Sequence, residues 1–137
     1  MTHPAFGIVT IGFESEAEWG GFFESIKNSQ LAPAAIVIVD NSPTLRVDAR
    51  SWMDLPVSVL HTPQNLGYGG AANRGVEQLH PEICWVVICN PDSRFHAHTM
   101  EQLLGAREVL ADTGVLGPTV LNNRGEVFPS ARTIPGV

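Results

Sequence analysis

The stretch Ala34-Ala35-Ile36-Val37-Ile38-Val39-Asp40-Asn41-Ser42-Pro43 decides the fold. A strand with one wet face alternates apolar and polar side chains, whereas the run from Ala34 to Val39 is apolar throughout. Such a strand is covered on both faces, as in a parallel sheet flanked by helices. Asp40-Asn41-Ser42-Pro43 then carries the residue types of a turn.

Upstream, Ala5-Phe6-Gly7-Ile8-Val9-Thr10-Ile11 is short, apolar and β-branched, and it breaks at Gly12, which predicts a first strand. Ser15-Glu16-Ala17-Glu18 has the spacing of a capping box. It predicts a helix over Glu16–Ser29 that turns Trp19, Phe22, Phe23 and Ile26 toward the core. Downstream, the patterns predict a helical segment over Arg46–Trp52, a strand over Val57–Leu60, a glycine-rich helix over Tyr68–Leu79 and a strand over Cys84–Cys89. A helix over Ala97–Ala111 follows, and then two short strands, Val115–Leu121 and Val127–Phe128, around Asn122-Asn123-Arg124-Gly125. Strand and helix alternate, so the fold class is α/β, a mostly parallel sheet with helices on both faces. Sheets of this kind take ligands beyond the carboxyl ends of their strands. Thr10–Phe13, Asp40-Asn41, the 61–67 loop and Asn90-Pro91-Asp92 are therefore expected to share one neighbourhood.

With 137 residues, 44% of them hydrophobic and 16% charged, the chain is expected to fold as a single domain over residues 1–137. Eight basic against fourteen acidic residues leave a formal net charge of −6, which opposes an electrostatic grip on nucleic acid. The longest apolar run, Ile83–Cys89, is far too short to span a bilayer. The start Met1-Thr2-His3-Pro4-Ala5-Phe6 lacks the basic residues and apolar run of a signal peptide, so a cytoplasmic chain is expected. Cys84 and Cys89 lie five apart on one predicted strand and point to opposite faces. They read as two buried, unpaired thiols in a reducing compartment.

Asp40 at the crest of its strand has two readings, an acceptor for a nucleobase N–H or a cap of its own turn. Asp92 likewise reads either as a ligand for a hard divalent cation that also contacts a diphosphate, or as a cap for the helix ahead. In Asn65-Leu66-Gly67-Tyr68-Gly69-Gly70-Ala71-Ala72-Asn73-Arg74-Gly75, small residues at a helix start would let an anion or sugar approach backbone amides. Gly67-x-Gly69-x-x-Ala72 also matches the dinucleotide fingerprint, but Thr62-Pro63-Gln64-Asn65 intervene after the preceding predicted strand. His96 and His98 near Asp92 allow a metal site or, more plainly, exposed loop histidines. Hydrolase, zinc-protease and P-loop motifs are absent.

Taken in order, Val9-Thr10, Val39-Asp40-Asn41-Ser42, Asn65-x-Gly67-Tyr68-x-x-Ala71-x-Asn73-x-Gly75 and Asn90-Pro91-Asp92 resemble the family 2 glycosyltransferases of the GT-A fold. The likeness is to the branch that includes bacterial dTDP-rhamnosyltransferases, where Asn-Pro-Asp often replaces Asp-x-Asp. Gly117-Pro118, Gly125, Ser130-Ala131-Arg132 and Pro135 also look like that branch. The resemblance implies that Thr10 and Asp40 line a base pocket, with Asp40 accepting the N3–H of uracil or thymine. It implies that Asn65, Gly67 and Ala71 lie near the nucleoside, that Asn73 helps hold the loop, and that Asn90 bonds a ribose hydroxyl. Asp92 would bind Mg²⁺ or Mn²⁺ against the diphosphate. The implied partners are a UDP- or dTDP-sugar donor and a glycan or lipid-linked acceptor, with the full enzyme meeting the inner face of the membrane peripherally. The implied reaction is inverting: an acceptor hydroxyl, deprotonated by a carboxylate base, displaces the nucleoside diphosphate in one step. That base is expected beyond residue 137, in the other half of a longer enzyme. Glu126 and Asp112 are the first candidates should it lie within these residues. A nucleotide-binding module without transferase activity and an NAD-binding Rossmann domain stay open as other readings.

Overall fold

The apolar run around Ile36 forms strand β2 (Ala35–Asp40), which pairs in parallel with β1 (Phe6–Gly12) on one side and β3 (Val57–His61) on the other. A fourth parallel strand, β4 (Trp85–Cys89), lies on the free side of β1, giving the order β3-β2-β1-β4. This computed structural model describes residues 3–109 and 112–130. Leu110, Ala111, Ala131, Arg132 and Pro135, used above for the last helix and for the resemblance, lie outside the described residues.

The two faces of the sheet carry separate cores, as the uninterrupted hydrophobicity of β1 and β2 requires. On one face Phe6, Ile8, Ile36 and Ile38 pack with Trp19, Phe22, Phe23 and Ile26 of helix α1 (Trp19–Lys27). Met100 and Leu104 of helix α3 (Thr99–Val109) join that cluster. On the other face Val9, Ile11, Val37 and Val39 meet Ala71 and Ala72 of helix α2 (Gly67–Val76). The only side chains narrow enough for so close a helix are small, and Gly75 completes the contact. The α/β expectation and the core role of the α1 aromatics hold.

Local signals were less reliable. The capping box is not formed: α1 starts at Trp19 with no side-chain cap, and the Ser15 hydroxyl instead accepts from the Phe13 amide. Glu18 cannot reach back because its carboxylate is held by Arg94 of the loop after β4. Arg46–Trp52 supplies only a 3-10 turn at Ala49–Trp52, capped by Asp48, since Asp40 already holds the Arg46 amide in the preceding turn. Helix α2 stops at Val76, short of Leu79. Cys84 falls outside β4 and is exposed, so only Cys89 keeps partial cover. The final pair shrinks to an antiparallel hairpin of β5 (Val120–Leu121) and β6 (Val127–Phe128).

Candidate functional site

In the sheet register Gly12 stands beside Asp40, Asp40 beside His61, and Thr10 beside Cys89. The predicted neighbourhood at the carboxyl edge is therefore real. From β1 the chain steps outward through β2 and β3 and then returns to add β4 on the opposite side. The point where this order reverses, between β1 and β4, is where such sheets open a ligand crevice.

Asp40 sits at the rim of this edge but is almost wholly buried, only 2% exposed. Its Oδ1 accepts the Ser42 amide at 3.0 Å and its Oδ2 accepts the Arg46 amide at 2.9 Å. The turn-capping role is thus built, and a ligand N–H has only the remaining lone pairs of the carboxylate to address. Around it lies a polar network that sequence reasoning missed. Buried Ser42 receives the Glu14 amide on its hydroxyl, and its carbonyl lies 2.9 Å from His61 Nε2. Asn41 Oδ1 accepts the Thr62 hydroxyl while its Nδ2 donates to the Gly67 carbonyl at 3.4 Å. These bonds tie the ends of β2 and β3 to the first turn of α2. A Ser or Asn after an acidic strand end is a turn signal in sequence, and only the register shows what it reaches.

The loop before α2 is shaped by Asn65 and Gly67. Asn65 Oδ1 accepts the Gly67 amide at 2.8 Å, and Gly67 has φ +69°, a left-handed conformation that glycine adopts without a Cβ clash. Gly67, Tyr68, Gly69 and Gly70 are exposed, and a Cβ on Gly67 or Gly69 would meet nothing within 4 Å. That is open space for a ligand beside backbone N–H groups that have no intrahelical partner. Ala71, implied above to lie near a nucleoside, is fully buried against the sheet and offers it no surface. Asn73 is exposed and its side chain bonds nothing among the described residues, so Asn41 and Asn65 hold the loop instead. Gly67-x-Gly69-x-x-Ala72 opens the helix after β3, not the one after β1, so it lacks the setting of the dinucleotide fingerprint.

Across the crevice, Ser93 donates its amide to the Asn90 carbonyl at 3.1 Å, closing a turn whose corner is Pro91-Asp92. Pro91 is buried and Asp92 exposed. The Asp92 carboxylate has no hydrogen bond or ion pair among the described residues, and α3 does not begin until Thr99, so it caps no helix. Asn90 is exposed beside it. Tyr68, which sequence reasoning passed over, leans to this side: partial desolvation of its phenol and then the nearby Cys89 and Asp92 raise its pKa. Beneath this corner Thr10 stands beside Cys89 in the sheet register. The Thr10 hydroxyl is fully buried, with the Cys89 thiol as its neighbour. Burial pushes the Cys89 thiol up to about 12, against the opposing influence of that hydroxyl.

Among the described residues no cluster of three His, Cys, Asp or Glu side chains could hold a metal ion. His96 and His98 are exposed, and His98 pairs with Glu101. Asp112 is exposed, and Glu126 accepts the Asn122 side-chain amide within the hairpin turn. One free carboxylate at a rigid corner suits a hard cation that takes its other ligands from phosphate oxygens and water.

The sequence pattern of Glycosyl transferase family 2 matches residues 8–134. An N-acetylglucosaminyl-diphospho-decaprenol L-rhamnosyltransferase of Mycobacterium tuberculosis, found in two strains, is 29% identical over 140 residues. That match covers 95% of this chain and 46% of the relative, so the chain spans about half the length of the curated relatives it matches. Crystal structures of S. aureus TarS share the fold. One, of residues 1–349, has a TM-score of 0.64 at 16% identity, covering 77% of this chain and 32% of that one. The other has a TM-score of 0.64 at 15% identity, covering 85% and 24%.

Proposed function

The chain belongs to Glycosyl transferase family 2, and from that premise we propose that it forms the donor-binding half of an inverting glycosyltransferase. The donor is a UDP- or dTDP-sugar, with rhamnose the sugar that the Mycobacterium tuberculosis relative's name favours. The same name favours a lipid-linked acceptor, and we place the reaction on the cytoplasmic side, at the membrane surface where such an acceptor lies. No described helix is long and apolar enough to cross a membrane.

The observation that carries this reading is the free Asp92 carboxylate at the corner of the β4 turn, near enough to Tyr68 in the open glycine-rich start of α2 to influence its phenol. A diphosphate between them would meet backbone N–H groups on one side and, with Mg²⁺ or Mn²⁺, Asp92 on the other. The cation, when bound there, would offset the negative charge that grows on the departing diphosphate. The nucleoside would extend toward Thr10, Asp40 and the Asn65–Gly67 turn, with Asn90 near the ribose. The carboxylate base that activates the acceptor hydroxyl is supplied from outside residues 1–137, by a part that also forms the acceptor site.

Calorimetric titration of the chain with dTDP, UDP, CDP and NAD, each with Mn²⁺ and with a chelator, tests this. The expected result is binding of dTDP and UDP strengthened by Mn²⁺, with weaker CDP and no NAD. Binding of NAD alone, independent of metal, would replace this reading with a dinucleotide-binding one.

A further inference from the structure

We propose that Arg94 is a positioning residue that clamps the Asn90–Phe95 loop onto helix α1 and so sets where the Asp92 carboxylate stands; this rests on the donor-site reading above. Three observations converge on it. The Arg94 guanidinium donates from one terminal nitrogen to the carbonyls of Pro91 and Ser93, each at 3.0 Å, so it grips the backbone on both sides of Asp92. Its other terminal nitrogen donates to Glu18 Oε2 at 2.9 Å, at the start of α1. The planar fork thus joins two segments 76 positions apart in sequence, a task suited to guanidinium geometry and not to a single ammonium.

The third observation is the space kept for it. Gly21, partly buried on α1, lies directly under the guanidinium: a Cβ there would stand 2.5 Å from Arg94 Nε and 2.7 Å from Nη2. A glycine inside a helix is unfavourable against alanine, so helix formation gives no reason for it. Clearance for Arg94 does. The neighbouring Gly20 has nothing within 4 Å and no such role. The rest of the loop is fastened by apolar contacts that leave Asp92 out. Pro91 is buried, and Phe95 meets Phe22 edge-on with ring centroids 6.0 Å apart. Farther along, the Gln30 amide donates to the Ala97 carbonyl at 2.8 Å. Removing Arg94 therefore frees the corner that bears Asp92 while both ends of the segment remain attached.

Clamp loss predicts a separation of effects. Groups that orient a metal ligand typically change metal affinity 10- to 100-fold, and the nucleoside pocket on β1 and β2 does not involve Arg94. Arg94→Ala should reduce the Mn²⁺-dependent gain in dTDP affinity about tenfold or more and leave dTDP affinity in chelator unchanged. Arg94→Lys should restore only part of the gain. Gly21→Ala is the decisive variant, because it alters no charge or donor, favours the helix, and displaces Arg94 by contact alone. It should copy Arg94→Ala, while Gly20→Ala behaves as the parent. Amide exchange at Ser93, whose N–H closes the Asp92 turn, should quicken in Arg94→Ala and Gly21→Ala without any change at β1 amides.

If the parent gains affinity with Mn²⁺ and both Arg94→Ala and Gly21→Ala keep the full gain, the clamp is overturned and the donor-site reading stands. If the parent itself shows no Mn²⁺ gain, the metal-side reading and the positioning role fall together. An equal loss of dTDP affinity with metal and with chelator overturns the proposal as well, since it would mark general damage to the fold.

Discussion

Gly75 on α2 presses its bare Cα against Val9 of β1: a Cβ at that position would overlap Val9 Cγ1 and lie 2.8 Å from Val39 Cγ2. The helix that begins at the candidate site is thus seated on the central strands with no room for one more methyl. Gly75→Ala should lower stability by about 1–3 kcal/mol through overpacking, despite the better helix propensity of alanine. Gly69→Ala, in open space on the same helix, should be neutral or raise stability by up to about 1 kcal/mol. Urea unfolding of the two variants against the parent measures both; equal midpoints for the two would refute the close seating.

Asp40 should act on folding and on base choice together. Its buried carboxylate accepts two backbone N–H groups, and hydrogen bonds to a charged group are worth about 1.5–3 kcal/mol each. Asp40→Ala should therefore destabilise the chain by at least about 2 kcal/mol. If a lone pair also serves the N3–H of uracil or thymine, the same variant loses its preference for UDP over CDP, since cytosine carries no proton there. Titrations well below the unfolding temperature separate the two effects. A destabilised variant that still discriminates UDP from CDP leaves Asp40 as a turn cap only.

Asp92→Asn should leave folding unaltered to within about 0.5 kcal/mol, because the side chain is exposed and unpaired among the described residues. It should remove the Mn²⁺-dependent gain in diphosphate affinity and preserve the metal-free affinity. Calorimetry in Mn²⁺ and in chelator measures this, and an undiminished gain would show that the cation has another ligand.

The two cysteines should be distinguishable in the native state. Cys84 is exposed, while burial raises the Cys89 thiol pKa to about 12. Since the thiolate is the nucleophile, an aromatic disulfide reagent at pH 8 should modify Cys84 quickly and Cys89 only after unfolding. The sign of the linkage follows: the folded state holds the Cys89 proton more tightly, so this contribution to stability is complete below about pH 9 and is lost as pH rises toward 12. A chain with Cys84→Ser isolates the effect in a pH series of unfolding midpoints. Rapid labelling of Cys89 in that folded chain would contradict the raised pKa of its thiol.

Local patterns were enough to give the class of fold and the location of the candidate site. Apolar runs such as Ile36–Val39, and the helical spacing of Trp19, Phe22, Phe23 and Ile26, are local patterns, and a period of two or 3.6 residues can be read without knowing any neighbour. The rule that ligands gather beyond strand carboxyl ends then brought Thr10, Asp40, the 61–67 loop and Asp92 together. Only the tertiary structure decided which polar atoms were already taken. Glu18 matched a capping box three residues from Ser15, yet it pairs with Arg94, 76 positions away. Asp40 turned inward to its own loop, Ala71 faced the sheet, Asn73 faced water, and Asp92 was left without a partner among the described residues. The partner of a polar group is chosen by strand register and helix seating, which depend on contacts far apart in the chain, and local spacing carries no record of that choice.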